Sequence, residues 1–468
     1  MSVHPLLVSA IKAEYIRALQ AADTLAAAAA SDDATLEAKA SALRSSYPSP
    51  DALSSAAGLR QLLVGMFDSE ELVDAALATI LADTSCFEHA GGEPRHLGLG
   101  ATNPKSGATD GKPLAVAVIG CGQMGRTHAI NAALDPSWAV TWAVDVNLPS
   151  AETIAALDVL ADAPPRVSTD YAEALADDML DAVFVLTPPF THQEISVAAL
   201  RAGKHVMCEK PMCLSEEEAE AMVAAEAEGG EGGPVFLLAY PRRFGIDDHK
   251  IISTIKETLG QPVFYRDVWG VVKGHVSEVI HEETGGGGLL YENSHTIDSY
   301  NMTFGKPVKV FAVTDKMKPD PRGVYARDTY LLTIFYESGD KVVFSSSWAA
   351  PGMGDRPWTP YGRVIRPVMD VIGPHGLLHY PSEDPEFADE YVIYSGSEDY
   401  EETDRFAVRN DHGAGFVREL KHFHECIRGR ERPLCTAADG RAVVAIIHAA
   451  HRSGDSGLPE AVGAAAAL

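Results

Sequence analysis

Three glycines at the spacing G-x-G-x-x-G form the first group of residues in this chain whose types indicate chemistry. Gly120, Gly122 and Gly125 directly follow the apolar run "LAVAVIG" and precede a helical stretch. In that setting the first glycine permits a tight turn, the second lets the backbone approach a pyrophosphate, and the third allows close helix–strand packing. The N–H groups at the start of the helix then face phosphate. The motif predicts a dinucleotide-binding turn that also contains Gln123 and Met124.

Asp145 ends the next predicted strand and indicates which dinucleotide binds. It lies 20 residues after Gly125. At this place a carboxylate accepts hydrogen bonds from the ribose hydroxyls of NAD and repels the 2′-phosphate of NADP. The stretch "VDVNLPS" contains no Arg or Lys that could neutralise such a phosphate. The sequence therefore predicts NAD as the cofactor, with NADP less favoured.

Lys210 is a candidate catalytic residue in the segment "HVMCEKPM". It follows Glu209 at the carboxyl end of another predicted strand, the end of a parallel sheet that borders the ligand crevice. Burial and the positive charge of an oxidised nicotinamide would both disfavour its ammonium form. The lysine could then exchange a proton with a substrate hydroxyl. The alternative is a solvated lysine with no catalytic role.

Length, charge and cysteine content limit the classes of protein that fit this chain. At 468 residues it is long enough for two or three domains. A net charge of −28 repels nucleic acids and anionic membranes, so neither is expected as a partner. Without a membrane-spanning apolar run or signal-peptide pattern, we expect a cytoplasmic protein. The six cysteines lack metal-site spacing, so no metal is predicted and the thiols are expected to be reduced.

The elements that must position these residues fall into three parts. Residues 1–112 are Ala-rich with helical periodicity and end in a Gly- and Pro-rich linker, which predicts a helical extension that is either a dimerisation or regulatory module or simply packed on its neighbour. Residues 113–241 alternate between strands and helices, which predicts an α/β Rossmann domain. Residues 242–468 are mostly strands followed by two helices, which predicts an α+β domain with a large, mostly antiparallel open sheet. That sheet could provide the contact of a homodimer or homotetramer.

Several segments, in the right order, resemble the Gfo/Idh/MocA family of oxidoreductases. They are "AVIGCGQMGRTHA" with "VLTPPFTHQEISVAALRAGKHVMCEKPM", then "YPRRFGIDDHKIISTIKETLGQPV", "GGGGLLYENSHTIDSYNMTFG" and "FHECIRGRERPLCTAADG". The resemblance covers about residues 113–455 and leaves out the N-terminal extension. It implies a Rossmann domain, a second domain whose open sheet carries the substrate face, and hydride transfer between NAD(P) and a sugar or cyclitol carbon.

The resemblance also implies roles for individual residues on the cofactor side of the site. Lys210 matches the lysine of the family's E-K-P motif, and Glu209 frames it. Three residues of the segment "TPPFTH" are implied to line the cofactor side of the crevice: Thr187, Pro188 and His192.

His295 matches the family's usual acid/base residue, and its surroundings depart from the family pattern at one position. An imidazole can take a hydroxyl proton near neutral pH while hydride leaves to the nicotinamide. Asp298, one helical turn later, could orient its ring. Where many members carry a catalytic Asp, this chain has Tyr291. The Tyr291 phenol could assist proton transfer or only fill space, and the adjacent Glu292 is expected to point elsewhere.

The combined prediction is reversible, NAD-linked oxidation of a secondary hydroxyl on a sugar, cyclitol or related polyol. Two alternatives remain open, since some relatives are NAD-dependent glycosidases and others are regulators that sense NAD(P). A regulator need not keep both Lys210 and His295, whereas this chain has both. A glycosidase would release sugar without net NADH.

Overall fold

We describe the protein from a computed structural model. The structure describes residues 112–271, 288–317, 326–347, 363–380, 390–395, 401–407 and 412–463. The predicted N-terminal helical extension lies outside the described residues, apart from its last position.

A six-stranded parallel sheet supports the glycine-rich turn. Its strands are β1 (Leu114–Ile119), β2 (Trp138–Val144), β3 (Arg166–Ser168), β4 (Ala182–Val185), β5 (His205–Glu209) and β6 (Phe236–Ala239). They lie in the order β3-β2-β1-β4-β5-β6. The central strands are apolar and almost wholly buried, because the crossover helices pack against them. The strand order reverses between β1 and β4, where the ligand crevice of such a sheet opens.

Five helices connect these strands, and two of them begin in different ways. They are α1 (Gln123–Leu134), α2 (Leu148–Ala155), α3 (Tyr171–Leu175), α4 (His192–Arg201) and α5 (Glu216–Glu228). A capping box starts α5, since the Ser215 side chain accepts the N–H of Glu218 and the Glu218 carboxylate accepts the N–H of Ser215. By contrast, α1 has Gly122 as its N-cap residue, which offers no side-chain hydrogen bond to the first turn. Its first N–H groups are therefore available to a ligand.

The second sheet has nine strands. They are β7 (Phe264–Val271), β8 (Pro307–Asp315), β9 (Thr329–Tyr336), β10 (Lys341–Ser347), β11 (Arg363–Gly373), β12 (Gly376–Tyr380), β13 (Glu390–Ser395), β14 (Glu401–Ala407) and β15 (Glu460–Ala461). The order is β14-β13-β12-β11-β7-β10-β9-β8-β15. Only the β7–β10 pair is parallel among the strand pairs of the described residues in this sheet.

The helices of the second part are α6 (Ile246–Thr254), α7 (Leu289–Glu292), α8 (Ser294–Phe304), α9 (His412–Ile427) and α10 (Ala437–Ser456). A 3₁₀ segment, Pro241–Phe244, precedes α6, and a π-helical turn, Ile255–Leu259, follows it. The long helix α10 packs against both α5 and β8, so it ties the two sheets together. Its main contacts with the second sheet are with β8 and β15, at one edge.

The predicted fold is confirmed in kind: an α/β Rossmann sheet is followed by a large, mostly antiparallel sheet with C-terminal helices. The exact domain boundaries at residues 112 and 241 stay predictions. Within the described part of the chain, no helix is both long and apolar enough to cross a membrane.

Candidate active site

The glycine-rich turn has the geometry that a dinucleotide requires. Gly120 has a φ of +93°, and a Cβ there would lie 2.6 Å from the backbone of Leu186. A Cβ on Gly125 would lie 2.0 Å from the Gly120 carbonyl oxygen, so the helix can approach the strand only with glycine. A Cβ on Gly122 would meet nothing within 4 Å, and this residue is exposed. The open side of the turn is therefore at Gly122, where a pyrophosphate would approach.

Asp145 closes the turn from the end of β2. Its Oδ2 accepts the N–H of Cys121 at 2.8 Å, and its Oδ1 accepts the N–H of Asn147 at 2.8 Å. These bonds fix the carboxylate beside the turn while the residue stays partly exposed. Gln123 and Met124 form the first turn of α1 and are exposed and half-buried, respectively. The open cradle and a fixed carboxylate fit NAD.

The ends of β4 and β5 continue the same edge of the sheet, and His192 joins them. Thr187 and Pro188 follow β4; Thr187 is half-buried and Pro188 is exposed. His192 is fully buried, with Nε2 2.7 Å from the Thr187 carbonyl oxygen and Nδ1 2.8 Å from the Pro211 carbonyl oxygen. It thus holds the two loops together from behind and does not itself line the crevice.

Lys210 forms an ion pair with Glu292 across the crevice. The Lys210 Nζ donates to the Glu292 Oε2 at 3.2 Å, and the two side chains are 15% and 35% exposed. The pair connects the end of β5 with the end of α7. The expectation that Glu292 points elsewhere is therefore wrong. One signal in the sequence could have found it: in this segment Glu292 is the carboxylate closest to the position of the family Asp.

The charges around Lys210 keep it an ammonium ion. Burial by itself would lower the pKa of Lys210, but Glu292 and then Glu209 outweigh burial and raise it. Glu209 is buried, and its Oε2 accepts the backbone N–H of Lys210. The sequence predicted that burial disfavours the ammonium form of Lys210. In the protein without cofactor, the negative charges of Glu292 and Glu209 oppose that effect.

His295 lies one helical turn after Glu292. It is the second residue of α8, which follows α7 after a single turn residue, and it is half-buried. The ring of Tyr240 meets the His295 ring edge-on, with centroids 5.5 Å apart, and restricts its orientation. His295 thus follows Glu292 by three positions, at the start of the next helix.

Tyr291 points into the protein interior. It is 1% exposed, and its hydroxyl donates to the Leu214 carbonyl oxygen at 2.7 Å and lies 2.9 Å from the His448 Nε2. Of the two roles considered for Tyr291, the structure shows the packing role. Adjacent residues on a helix are about 100° apart, so burying Tyr291 turns Glu292 toward Lys210.

Asp298 is also engaged away from the site. Its Oδ2 and Oδ1 accept from the Arg243 Nε and Nη2 at 2.8 and 2.7 Å. Arg243 further bonds the Leu434 carbonyl oxygen and Asp439. The suggested role of Asp298 in orienting the His295 ring is therefore corrected, because both its oxygens bind a fully paired guanidinium that joins α8 to α10.

No group of His, Cys, Asp or Glu side chains within the described residues has the arrangement of a metal site. The five cysteines that the structure describes are all buried and unpaired.

Comparisons with known proteins agree with this geometry. Residues 114–232 match the sequence model described as an oxidoreductase family with an NAD-binding Rossmann fold, and residues 259–459 match the C-terminal alpha/beta domain of the same family. The scyllo-inositol 2-dehydrogenase (NAD(+)) of Bacillus subtilis is 26% identical over 357 residues, which are 73% of this chain and 94% of that protein.

Two further proteins are similar to this chain. The inositol 2-dehydrogenase of Rhodococcus erythropolis is 37% identical over 143 residues, 30% of this chain and 39% of that protein. The crystal structure of an oxidoreductase domain protein from Kribbella flavida has a TM-score of 0.62 at 21% identity, covering 75% of this chain and 99% of that one. This last likeness shows a shared fold. The chain belongs to the Gfo/Idh/MocA family of oxidoreductases and carries the family's NAD-binding Rossmann domain and C-terminal α/β domain.

Proposed function

We propose that this protein is an NAD-dependent dehydrogenase that oxidises a secondary hydroxyl of a sugar, cyclitol or related polyol, reversibly. The observation that carries the proposal is the Lys210–Glu292 ion pair, which stands at the same sheet edge as the open turn at Gly122. A relative named for NAD-linked inositol oxidation, 26% identical over most of the chain, supports the substrate class.

In the proposed reaction, the substrate carbon loses a hydride and its hydroxyl loses a proton. NAD, when bound, accepts the hydride. His295 accepts the hydroxyl proton, and the Lys210 ammonium donates a hydrogen bond to the same oxygen as negative charge develops there. Glu292 and Glu209 keep Lys210 charged. In the reverse direction His295 returns the proton to the carbonyl oxygen.

The cofactor groove is proposed to run along the carboxyl ends of β1, β4 and β5. We assign the pyrophosphate to the turn residues and the ribose hydroxyls to Asp145. The exposed Pro188 and the half-buried Thr187 are proposed to border the nicotinamide, next to Lys210. The preference for NAD over NADP rests on Asp145 and on the absence of Arg and Lys in residues 145–150.

The experiment is to measure NADH formation from NAD over a panel of sugars and cyclitols, with Lys210→Ala beside the wild type. We expect turnover of some panel member and its loss by a factor of about 10²–10⁴ in the variant. Sugar release without net NADH would instead indicate a glycosidase. NAD binding with no turnover of any panel member would favour a regulator. Both of these results would overturn the dehydrogenase proposal.

We also propose that two copies associate through the face of the second sheet that points away from α10. Strand register puts four large apolar side chains, each 42–52% exposed, on that face: Phe264, Val313, Leu331 and Ile372. The opposite face contains buried side chains such as Val310 and Ala312, and its β8 edge packs on α10. Light scattering should show that the wild type is a dimer or tetramer. The variant Leu331→Glu should dissociate that assembly. A monomeric wild type would contradict the proposed association. The five cysteines within the described residues form no disulfide with one another, which suits a reducing compartment such as the cytoplasm.

A further inference from the structure

Three acidic side chains lie at or next to the proposed catalytic residues, and they differ in exposure. The Glu292 side chain is 35% exposed, whereas Glu209 and Asp298 are buried. Glu209 accepts the backbone N–H of Lys210, and both oxygens of Asp298 bind Arg243. Of these three carboxylates, Glu292 is therefore the one that a molecule in the crevice can reach.

The ion pair with Lys210 does not exhaust the hydrogen-bonding capacity of the Glu292 carboxylate. The Glu292 Oε2 lies 3.2 Å from the Lys210 Nζ. An ionised carboxylate accepts up to about four hydrogen bonds and donates none. The group that Glu292 recognises in a ligand must therefore be a hydrogen-bond donor, and in a polyol that donor is a hydroxyl.

The proposed reaction assigns the reacting oxygen of the substrate to Lys210 and not to Glu292. That oxygen gives its proton to His295 and develops negative charge, which the Lys210 ammonium stabilises. A carboxylate repels the same charge. Glu292 therefore suits a different substrate oxygen, one that keeps its proton throughout the reaction.

The separation of the two charged groups indicates where that second oxygen lies. The Lys210 Nζ and the Glu292 Oε2 are one hydrogen-bond length apart, at 3.2 Å. Two ligand oxygens that bind these atoms side by side are then also roughly 3 Å apart. Hydroxyl oxygens on adjacent carbons have this separation when they are staggered at about 60°. Oxygens on opposite sides of a six-membered ring are too far apart to bind both groups.

We propose that the Lys210–Glu292 pair recognises a vicinal diol: Lys210 binds the hydroxyl that is oxidised, and Glu292 accepts a hydrogen bond from the hydroxyl on the neighbouring carbon. The oxidised carbon loses its hydride to NAD and its hydroxyl loses a proton to His295, so the product is an α-hydroxy ketone. The neighbouring hydroxyl is unchanged. The inference rests on the proposed function, and it adds which second hydroxyl the substrate needs.

Binding of two isomeric probes tests the need for a neighbouring hydroxyl without turnover. One is trans-cyclohexane-1,2-diol, and the other is trans-cyclohexane-1,4-diol, which has the same composition with its hydroxyls on opposite carbons. Ligand-observed NMR titrations give the Kd of each probe for the full-length protein loaded with NADH, which cannot accept a hydride. We expect the 1,2-diol to bind at least about tenfold more tightly, the effect of one hydrogen bond to a charged group. A 1,2-diol that binds no more tightly than the 1,4-diol would overturn the proposal.

Two substitutions distinguish direct contact with the diol from an effect through Lys210. Glu292→Gln and Glu292→Met both remove the negative charge, but only glutamine keeps an oxygen that accepts a hydrogen bond. The preference for the 1,2-diol should fall to about threefold in Glu292→Gln and should vanish in Glu292→Met. An equal loss in both variants would show that Glu292 acts only as the counter-charge of Lys210. That result, or a full preference in Glu292→Met, would contradict the proposed contact.

Glu228→Met is the matched control. Glu228 forms an ion pair with Arg201 at 3.0 Å, and the two residues lie at the C-terminal ends of α5 and α4. This variant should keep the wild-type preference between the two diols, and calorimetric titration with NADH checks that every variant still binds the cofactor.

The two proposals fail in different ways. A preference for the 1,2-diol that Glu292→Met abolishes, together with no NADH from any sugar or cyclitol, would contradict the dehydrogenase and support the diol contact. NADH formation from a panel member, together with equal affinities for the two diols, would support the dehydrogenase and contradict the diol contact.

Discussion

The Nζ atom of Lys210 lies 3.2 Å from Oε2 of Glu292, a residue 82 positions away in the chain. This contact joins the end of β5 in the Rossmann sheet to α7. It places a carboxylate beside the lysine although Tyr291 occupies the position of the family Asp. Glu292, whose side chain is longer than that of an Asp, thus supplies a carboxylate from the position after Tyr291.

Glu292→Gln should lower kcat/KM and move its alkaline limb to lower pH. The carboxylate raises the pKa of Lys210, so its removal lets the ammonium deprotonate at lower pH. Turnover measured from pH 6 to 10 checks the shift. The control is Tyr291→Phe, which should cost about 1 kcal/mol of stability through a lost hydrogen bond and leave the profile unchanged. The reverse result would return the catalytic role to Tyr291.

Gly122→Ala and Gly125→Ala should separate cofactor binding from folding. A Cβ at position 122 meets nothing within 4 Å, so Gly122→Ala should keep its Tm and weaken NAD binding at least tenfold. At position 125 the Cβ would lie 2.0 Å from a carbonyl oxygen, so Gly125→Ala should lower the Tm. Calorimetric titration with NAD and thermal unfolding measure the two effects. Unchanged NAD affinity in Gly122→Ala would contradict the assigned pyrophosphate site.

Asp145→Ala should reduce the preference for NAD over NADP by at least about tenfold. The carboxylate repels a 2′-phosphate. Its removal also takes away the hydrogen bond that Asp145 accepts from the Cys121 N–H. The ratio of kcat/KM for the two cofactors is the measurement. A wild type that already prefers NADP would show that Asp145 does not bind the ribose.

Asp298→Asn should destabilise the protein by about 3–5 kcal/mol, because it leaves a buried Arg243 charge without its main partner. Urea unfolding measures the loss. His295→Asn is the control, since it should abolish turnover and leave stability nearly unchanged. If Asp298→Asn instead lost only activity, Asp298 would be orienting His295 after all.

Acidification from pH 6.5 to pH 4 should destabilise the protein through three histidines, one buried and two half-buried. Burial lowers the pKa of His128, His205 and His451 to about 4 each. Between that value and 6.5 the unfolded chain binds more protons, so stability is lost as pH falls. His128→Phe should reduce this loss by on the order of 2 kcal/mol when unfolding is compared at pH 7 and pH 5. An unchanged loss would mean that His128 is charged in the folded protein.

The sequence by itself determined the parts of the site that local backbone geometry fixes. The spacing of Gly120, Gly122 and Gly125 after a buried strand predicted a turn whose φ and close contacts the structure shows. The position of Lys210 at a strand end followed from the same alternation of strands and helices. These features depend on residues close in sequence, where steric limits leave few conformations.

Only the tertiary structure decided which carboxylates act on which cations. The phase of α7 depends on burying Tyr291 against Leu214 and His448, and that burial turns Glu292 toward Lys210. Asp298 could have faced His295 on its own helix, but Arg243, 55 residues earlier, binds it. Helix phase and ion pairing are set by packing between distant segments, and no local pattern of residues specifies them.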